Sequence, residues 1–209
     1  MKYLPQPRKQ PKQARSEQMV ESILEAAARV LAERGYAAAT TNLVAARAGV
    51  SVGSLYQYFP NKDSLVAALH ERHADQMEAA IEKALDAADP RSLPKQIEAM
   101  VRAMVAVHQI SPQLHRVLEQ EFPFFDAPTE ESPADKKILV RIRKLLAGHH
   151  DEIPTRNLEL TAWTVMTVAG ALVHATIIDP PEHFALEEIE TMINRVLVGF
   201  LTCVPAEVA

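Results

Sequence analysis

Apolar residues recur along this chain at intervals of three and four positions, the spacing that places them on one face of an α-helix. The pattern predicts a first helix from Ser16 to Arg34, which ends at Gly35. It returns in a long helix from Asn61 to about Ala88 and in a last helix from Leu186 to about Thr202. No stretch alternates apolar and polar residues as a half-buried strand does. The sequence therefore predicts an all-α fold of about nine helices.

Two short helices joined by a tight turn are predicted between Thr40 and Lys62. Thr40 and Ser51 each carry a side-chain oxygen that can cap the N-terminus of a helix. Gly49 supplies the positive φ that a turn between crossing helices needs. The second helix, Val52 to Tyr58, has short, uncharged and hydrogen-bonding side chains on its outer face. Such a helix suits entry into a groove of DNA.

The residues from Ala48 to Lys62 read A-G-V-S-x-G-x-L-Y-x-Y-F-x-x-K, which resembles the helix-turn-helix signature of the tetracycline-repressor (TetR) family. The upstream Arg34–Tyr36 and the spacing from Thr40 to Ala45 fit this family as well. The resemblance implies a helix-turn-helix DNA-binding domain over residues 16–65, preceded by a flexible basic arm at residues 1–15. It also implies a helical ligand-binding and dimerisation domain over residues 66–209.

The resemblance further implies roles for single residues. Positions that hold the phosphate backbone are matched by Thr40, Thr41, Tyr56 and Lys62. Positions that face base edges or adjacent phosphates are matched by Asn42, Val52, Gly53, Ser54, Gln57 and Tyr58, and Ser51 caps the helix that carries them. The chemistry agrees, because a lysine can neutralise a phosphate and Gln57 can pair bidentately with adenine.

The net charge of −5 averages two unlike parts of the chain. Residues 1–65 hold nine Lys/Arg against five Asp/Glu, whereas residues 66–209 hold thirteen against twenty-two. A basic end on an acidic chain is typical of a DNA reader with a separate sensing body. The N-terminal arm, rich in lysine, arginine and proline, either lies along DNA or is a tail that aids solubility.

The stretch from Leu160 to Ile178 is uncharged and apolar on all sides of the predicted helix. Such a helix is buried on every side or spans a membrane. Burial against a second copy of the chain is favoured, because threonines dilute the run and no basic residues flank it. We therefore expect a homodimer formed through the last two helices and no membrane partner. The single cysteine, Cys203, and the absence of a signal peptide predict a cytoplasmic protein.

Methionine, histidine and aromatic residues in the second part of the chain predict a pocket for an apolar or aromatic small-molecule effector. The candidate lining is Met100, Met104 and His108 on one helix, Trp163, Met166 and His174 on another, and Phe122 in a loop between them. The alternative is that these residues form only a hydrophobic core.

Neither a cofactor nor a metal is predicted. His70 and His73 have the spacing of metal ligands on a helix, but no third ligand lies at a matching position, so a solvated face is favoured. No glycine-rich phosphate loop or nucleophile motif supports an enzyme. The function predicted is a repressor that an effector releases from palindromic double-stranded operator DNA. The alternatives are an architectural DNA-binding protein without an effector, and a ligand-binding or enzymatic body with a vestigial DNA reader.

Overall fold

The computed structural model describes residues 14–121, 133–155 and 157–203, and over these ranges the chain forms nine α-helices, one π-helical turn and no β-strand. This confirms the predicted all-α fold. The helices are α1 (Ala14–Ala38), α2 (Thr41–Ala48), α3 (Val52–Tyr58), α4 (Lys62–Ala87), α5 (Leu93–His108), α6 (Pro112–Arg116), α7 (Pro133–Gly148), α8 (Leu158–Ile178) and α9 (Leu186–Thr202). The π-helical turn, Val117–Glu121, continues α6.

The described residues group into two compact units. The first contains residues 14–73 and 111–121, and the second contains residues 74–110, 133–155 and 157–203. Helix α4 gives residues 62–73 to the first unit and 74–87 to the second, so the predicted boundary after residue 65 falls inside a continuous helix. The predicted arm at residues 1–15 lies outside the described residues up to position 13.

The first unit surrounds a core to which α1, α2, α3 and the start of α4 all contribute. Its fully buried side chains include Ile23, Leu31, Leu55, Phe59, Leu65 and Leu69. Burying a Leu, Ile or Phe side chain contributes about 1.5–3 kcal/mol each. This core therefore fixes the angle between the two short helices, α2 and α3.

Helix α1 is broken near its end at Gly35, which has φ 73° and ψ 171°. The predicted stop after Arg34 is thus present, but one further helical turn follows and reaches Ala38. A residue with a Cβ rarely adopts this φ, so glycine is required here by the backbone. The break directs the amide of Tyr36 away from the helix axis, where another segment of the same unit meets it.

The second unit is a bundle in which α5 packs against α8 and α9, and α8 also packs against α7 and α9. Its core includes Ile97, Met100 and Val101 of α5, Val165, Ala169 and Val173 of α8, and Ile193, Leu197 and Leu201 of α9. The spacing of these residues is the three-to-four stripe seen in the sequence.

Helix α8 has the length and composition of a membrane span, a property that it shares with core helices of soluble proteins. One face of α8 is buried in the second unit, and the opposite face is exposed and also apolar. The sequence pattern of a helix that is apolar on all sides therefore corresponds to one buried face and one exposed apolar face.

Candidate nucleic-acid interface

The two short helices of the first unit begin at the predicted caps. The Thr40 Oγ1 atom accepts a hydrogen bond from the Leu43 amide at 3.2 Å, and the Ser51 Oγ atom accepts one from the Ser54 amide at 3.0 Å. Gly49 between the helices has φ 68°, the left-handed conformation predicted for the turn. These contacts satisfy amides that a helix N-terminus leaves without intrahelical acceptors.

The outer face of α3 has the small and uncharged side chains that the sequence predicted. Val52, Gly53 and Gln57 are exposed, and Ser54 is half-buried. A Cβ built on Gly53 would meet nothing closer than the Ser51 Oγ atom at 3.8 Å. Because packing within the protein does not require glycine at this position, the lack of a side chain leaves room for a surface to approach the α3 backbone.

The α2 and α3 helices also share a polar contact at the edge of this face. The hydroxyls of Thr41 and Tyr56 lie 3.0 Å apart, and Tyr56 is exposed. Asn42, at the start of α2, is exposed as well. The hydroxyls and the amide are groups that can bind phosphates or base edges. The structure brings Thr41 and Tyr56 together, and it leaves Asn42, the next residue in the chain after Thr41, exposed.

Tyr58 corrects one part of the sequence prediction. Its side chain is 7% exposed and belongs to the core of the first unit, whereas the prediction placed it on the outer face of α3. The reason is the helical repeat: Tyr58 is three positions after the fully buried Leu55 and therefore lies on the same inner face. Tyr56, predicted to hold the phosphate backbone, is the exposed tyrosine of this helix.

Lys62 opens α4, and its ammonium group is held by Tyr36. The Lys62 Nζ atom donates a hydrogen bond to the Tyr36 carbonyl at 2.5 Å and lies 3.9 Å from the centre of the Tyr36 ring. The Tyr36 hydroxyl in turn donates to the Asp63 Oδ1 atom. Burial of this phenol, followed by its bond to Asp63, raises the pKa of Tyr36 to about 12, so the hydroxyl stays protonated and can donate.

All of the predicted effector-binding residues that the structure describes belong to the second unit. Met100, Met104 and His108 are buried on α5, and the rings of His108 and His174 have their centres 5.0 Å apart. The His108 Nδ1 atom lies 2.6 Å from the Met104 carbonyl, which can only accept, so Nδ1 carries the proton. Met166 is partly buried against the core that contains Met100 and Met104.

Trp163 is not brought together with these residues. Its side chain is 50% exposed on the outer face of α8, which corrects the prediction that it lines a pocket beside α5. Val165, Ala169 and Val173 fill the inner face of α8, and the position of Trp163 relative to them turns it outward. Phe122, also predicted for the pocket, lies outside the described residues.

Sequence reasoning missed three side chains of the interface region, those of Tyr36, Asp63 and Glu121. Tyr36 follows a glycine that breaks a helix, and Asp63 follows the predicted phosphate-binding lysine, so both positions carried a local signal. Glu121 accepts a hydrogen bond from the Tyr36 amide at 2.7 Å, although the two residues are 85 positions apart. A single sequence gives no signal for such a contact.

Comparison with known families agrees with this geometry. Residues 23–69 match the family described as "Bacterial regulatory proteins, tetR family". Residues 92–201, more than half of the chain, match the family described as "Tetracyclin repressor-like, C-terminal domain". The two matches include α2 and α3 of the first unit and most of the second unit.

Two curated transcription regulators are similar in sequence to parts of this chain. The HTH-type transcriptional repressor KstR of Mycolicibacterium smegmatis is 33% identical over 106 residues, which is 50% of this chain and 50% of KstR. The HTH-type transcriptional activator FasR of the same organism is 43% identical over 63 residues, 30% of this chain and 29% of FasR. The chain thus matches half or less of the length of these relatives.

A similar fold is present in solved structures that cover nearly the whole chain. The fatty acid degradation regulator FadR from Bacillus halodurans has a TM-score of 0.72 and 18% identity, covering 92% of this chain and 98% of FadR. A protein of unknown function from Rhodococcus sp. RHA1 also has a TM-score of 0.72, with 16% identity, covering 88% and 96% of the two chains. At these identities the likeness establishes the fold alone.

Proposed function

Because this chain belongs to the TetR family of bacterial transcription regulators, we propose that it is a repressor that binds a pseudo-palindromic operator as a homodimer and is released by a small apolar or aromatic effector. Members of the family are DNA-binding transcription factors and not enzymes. We also propose that the protein is cytoplasmic, as regulators of this kind generally are.

The outer face of α3 is the observation that carries the DNA-reading role. Gly53 lets the backbone approach a groove closely, and Gln57 is exposed beside it with an amide that can pair with an adenine edge. Thr40, Thr41, Tyr56 and Lys62 are the candidate phosphate contacts around this helix-turn-helix. In this arrangement α3 specifies the sequence and the flanking groups fix its register.

A homodimer is supported by the exposed apolar face that α8 and α9 share. One recognition helix reads too few base pairs to be specific, so two must be held about 34–36 Å apart on the same side of DNA. Trp163 of α8 and Met192, Val196 and Phe200 of α9 are large apolar side chains that remain about half exposed. A second copy of the same surface would cover them and explain why α8 is apolar on all sides.

An apolar or aromatic effector is supported by the side chains inside the second unit. Met100 and Met104 are flexible and polarisable, and such side chains adapt to ligands of irregular shape. His108 and Met166 lie in the same unit, and the pair formed by His108 and His174 supplies polar groups that can orient a ligand.

The DNA-reading proposal predicts different outcomes for two substitutions. Gln57→Ala should cost about 1–3 kcal/mol at one base position and relax the preference there. Lys62→Met should weaken binding to every sequence and lower the slope of log K against log[salt] by about 0.9, the loss of one phosphate contact. Duplexes selected from a random library with the unchanged protein supply the target, and fluorescence anisotropy over a salt series measures both effects. The same uniform loss for both variants would contradict the assignment of roles.

The effector proposal predicts reciprocal coupling between the effector and the operator. A compound that lowers operator affinity tenfold needs about 1.4 kcal/mol of differential binding, and operator DNA must then lower the affinity for that compound tenfold. Calorimetric titration of apolar and aromatic compounds, with and without the selected duplex, measures this factor. If no compound releases a specific footprint from the duplex, the alternative of an architectural DNA-binding protein without an effector is favoured.

A further inference from the structure

Tyr36 is the point where three segments of the first unit meet. Its amide donates to the Glu121 Oε2 atom at 2.7 Å, and its carbonyl accepts from the Lys62 Nζ atom at 2.5 Å. Its ring lies under the same ammonium group, and its hydroxyl donates to Asp63. One residue thus joins the end of the π-helical turn to the start of α4.

The contact with Glu121 is made possible by the break in α1. Gly35 turns the chain out of the helix, so the Tyr36 amide opens a new helical turn, in which the Ala39 amide donates to the Gly35 carbonyl. A carboxylate at such an N-terminus accepts a charge-assisted bond and interacts favourably with the amides of the turn. Glu121 therefore acts as the cap of this turn, supplied from a distant part of the chain.

The backbone at Gly35 also leaves space for this carboxylate. A Cβ built on Gly35 would come within 2.9 Å of the Glu121 Oε2 atom. The φ of 73° requires glycine at this position, and the lack of a Cβ lets the Glu121 carboxylate approach the turn without moving aside.

The ammonium group of Lys62 lies at a helix N-terminus, where other groups must stabilise its positive charge. An ammonium group at the first residue of a helix is opposed by the positive end of the helix dipole. The Tyr36 carbonyl and ring attract that group, and Asp63 in the same first turn of α4 adds a negative charge that the Tyr36 hydroxyl holds in place. The orientation of Lys62 consequently depends on where Tyr36 lies.

We infer that Glu121 and Tyr36 are positioning residues that hold Lys62 where it meets a DNA phosphate, with Glu121 acting through the Tyr36 backbone. The inference deepens the proposed DNA-binding function and rests on it. It adds a residue beyond the helix-turn-helix, at the end of the π-helical turn, to those that determine affinity for DNA.

Removing Glu121 should change the affinity for DNA in the direction opposite to the one that electrostatics alone would give. Removing an acidic side chain from a protein that binds DNA should raise affinity, because one repulsion with the phosphates is lost. Glu121→Ala should instead weaken binding, since Tyr36 and Lys62 lose their fixed position. Glu121→Gln removes the same charge but keeps an oxygen that can accept the bond from the Tyr36 amide.

The experiment uses the full chain and a mixed-sequence 30-base-pair duplex, titrated by fluorescence anisotropy over a salt series. We expect Glu121→Ala to raise the Kd about tenfold and to lower the salt slope by about 0.9, as for one lost phosphate contact. Glu121→Gln should stay within about twofold of the unchanged protein. Gln120→Ala, a truncation at the exposed neighbouring position, is the matched control and should bind as the unchanged protein does.

A double-mutant cycle tests whether Glu121 acts through Lys62. In a Lys62→Met background, Glu121→Ala should cause no further loss of affinity. If the losses of binding free energy from the two substitutions were fully additive, the inference would be overturned. The same holds if Glu121→Ala bound DNA as tightly as the unchanged protein. Either result would leave the proposed function intact. If the unchanged protein did not bind the duplex, the proposed function would fail and the inference with it. Should Glu121→Ala lose its helical circular dichroism, Glu121→Asp takes its place, because it keeps the charge and shortens the reach by one methylene.

Discussion

Glutamate in place of Val196 or Phe200 should convert the proposed dimer into monomers. These side chains are 48% and 47% exposed on α9, which packs against α8, and in the proposed dimer a partner subunit covers them. An uncompensated charge buried in an interface costs about 3–5 kcal/mol. With 1.4 kcal/mol for each factor of ten, the dimer dissociation constant should rise by more than about a hundredfold. Sedimentation velocity at micromolar concentration measures the change.

Val140→Glu is the matched control for these substitutions. Val140 is 58% exposed on α7, outside the surface shared by α8 and α9, so a charge there should leave the dimer intact. The variants at Val196 and Phe200 should also lose high-affinity binding to a two-site operator, since each monomer carries one recognition helix. An unchanged dimer in both α9 variants would place the interface on another surface.

The arrangement of the helix-turn-helix could be predicted from sequence because its determinants are local. Thr40 and Ser51 cap helices within three residues of themselves, and the positive φ at Gly49 is a property of one residue. Apolar residues at helical spacing likewise identified α4 and α9 with ends within one residue of those observed. Such features need no knowledge of which segments meet.

The contacts between distant segments could not be predicted, because they depend on which face of a helix meets which segment. Trp163 looked like a pocket residue, since a helix that is apolar on all sides does not reveal from its pattern which side is inside. Tyr58 is a different case: its spacing from Leu55 contained the answer, and the resemblance to a motif outweighed it. The contact between Glu121 and Tyr36 joins residues that only the fold brings together.

The same dependence on tertiary contacts explains why the two kinds of site differ in the sequence. The candidate DNA-reading residues lie within 23 consecutive positions, Thr40 to Lys62, and are ordered by caps and a turn. The candidate effector residues that do meet are far apart in the sequence: His108 and His174 are separated by 66 positions and come together through the packing of α5 against α8. A motif therefore indicates the candidates for the first site, whereas contacts among the candidates for the second arise only on folding.

Lowering the pH from 7 to 4 should destabilise the folded protein through His108. This side chain is 2% exposed, and its burial, more than the nearby His174, lowers the pKa of His108 to about 4 from an ordinary value of 6.5. The hydrogen bond to the Met104 carbonyl acts in the opposite direction but is weaker than the effect of burial. The folded protein therefore holds His108 neutral at pH values where the unfolded chain has already protonated it.

The sign follows from proton linkage. Between pH 6.5 and pH 4 the unfolded chain binds more protons than the folded protein, so the free energy of unfolding falls as the pH falls. The stability that neutral His108 contributes is fully present above pH 6.5 and is lost as the pH falls towards 4. This difference between the pKa values of His108 in the folded and unfolded states lowers the free energy of unfolding by about 3 kcal/mol between pH 6.5 and pH 4.

Urea unfolding at fixed protein concentration, from pH 7 to pH 4, measures this loss. His108→Asn keeps an N–H near the Met104 carbonyl but does not titrate, so its free energy of unfolding should fall by about 3 kcal/mol less than that of the unchanged protein over the same range. His150→Asn, at an exposed position, should follow the unchanged protein at every pH. Parallel curves for the unchanged protein and His108→Asn would show that His108 is not held neutral by burial in the folded state.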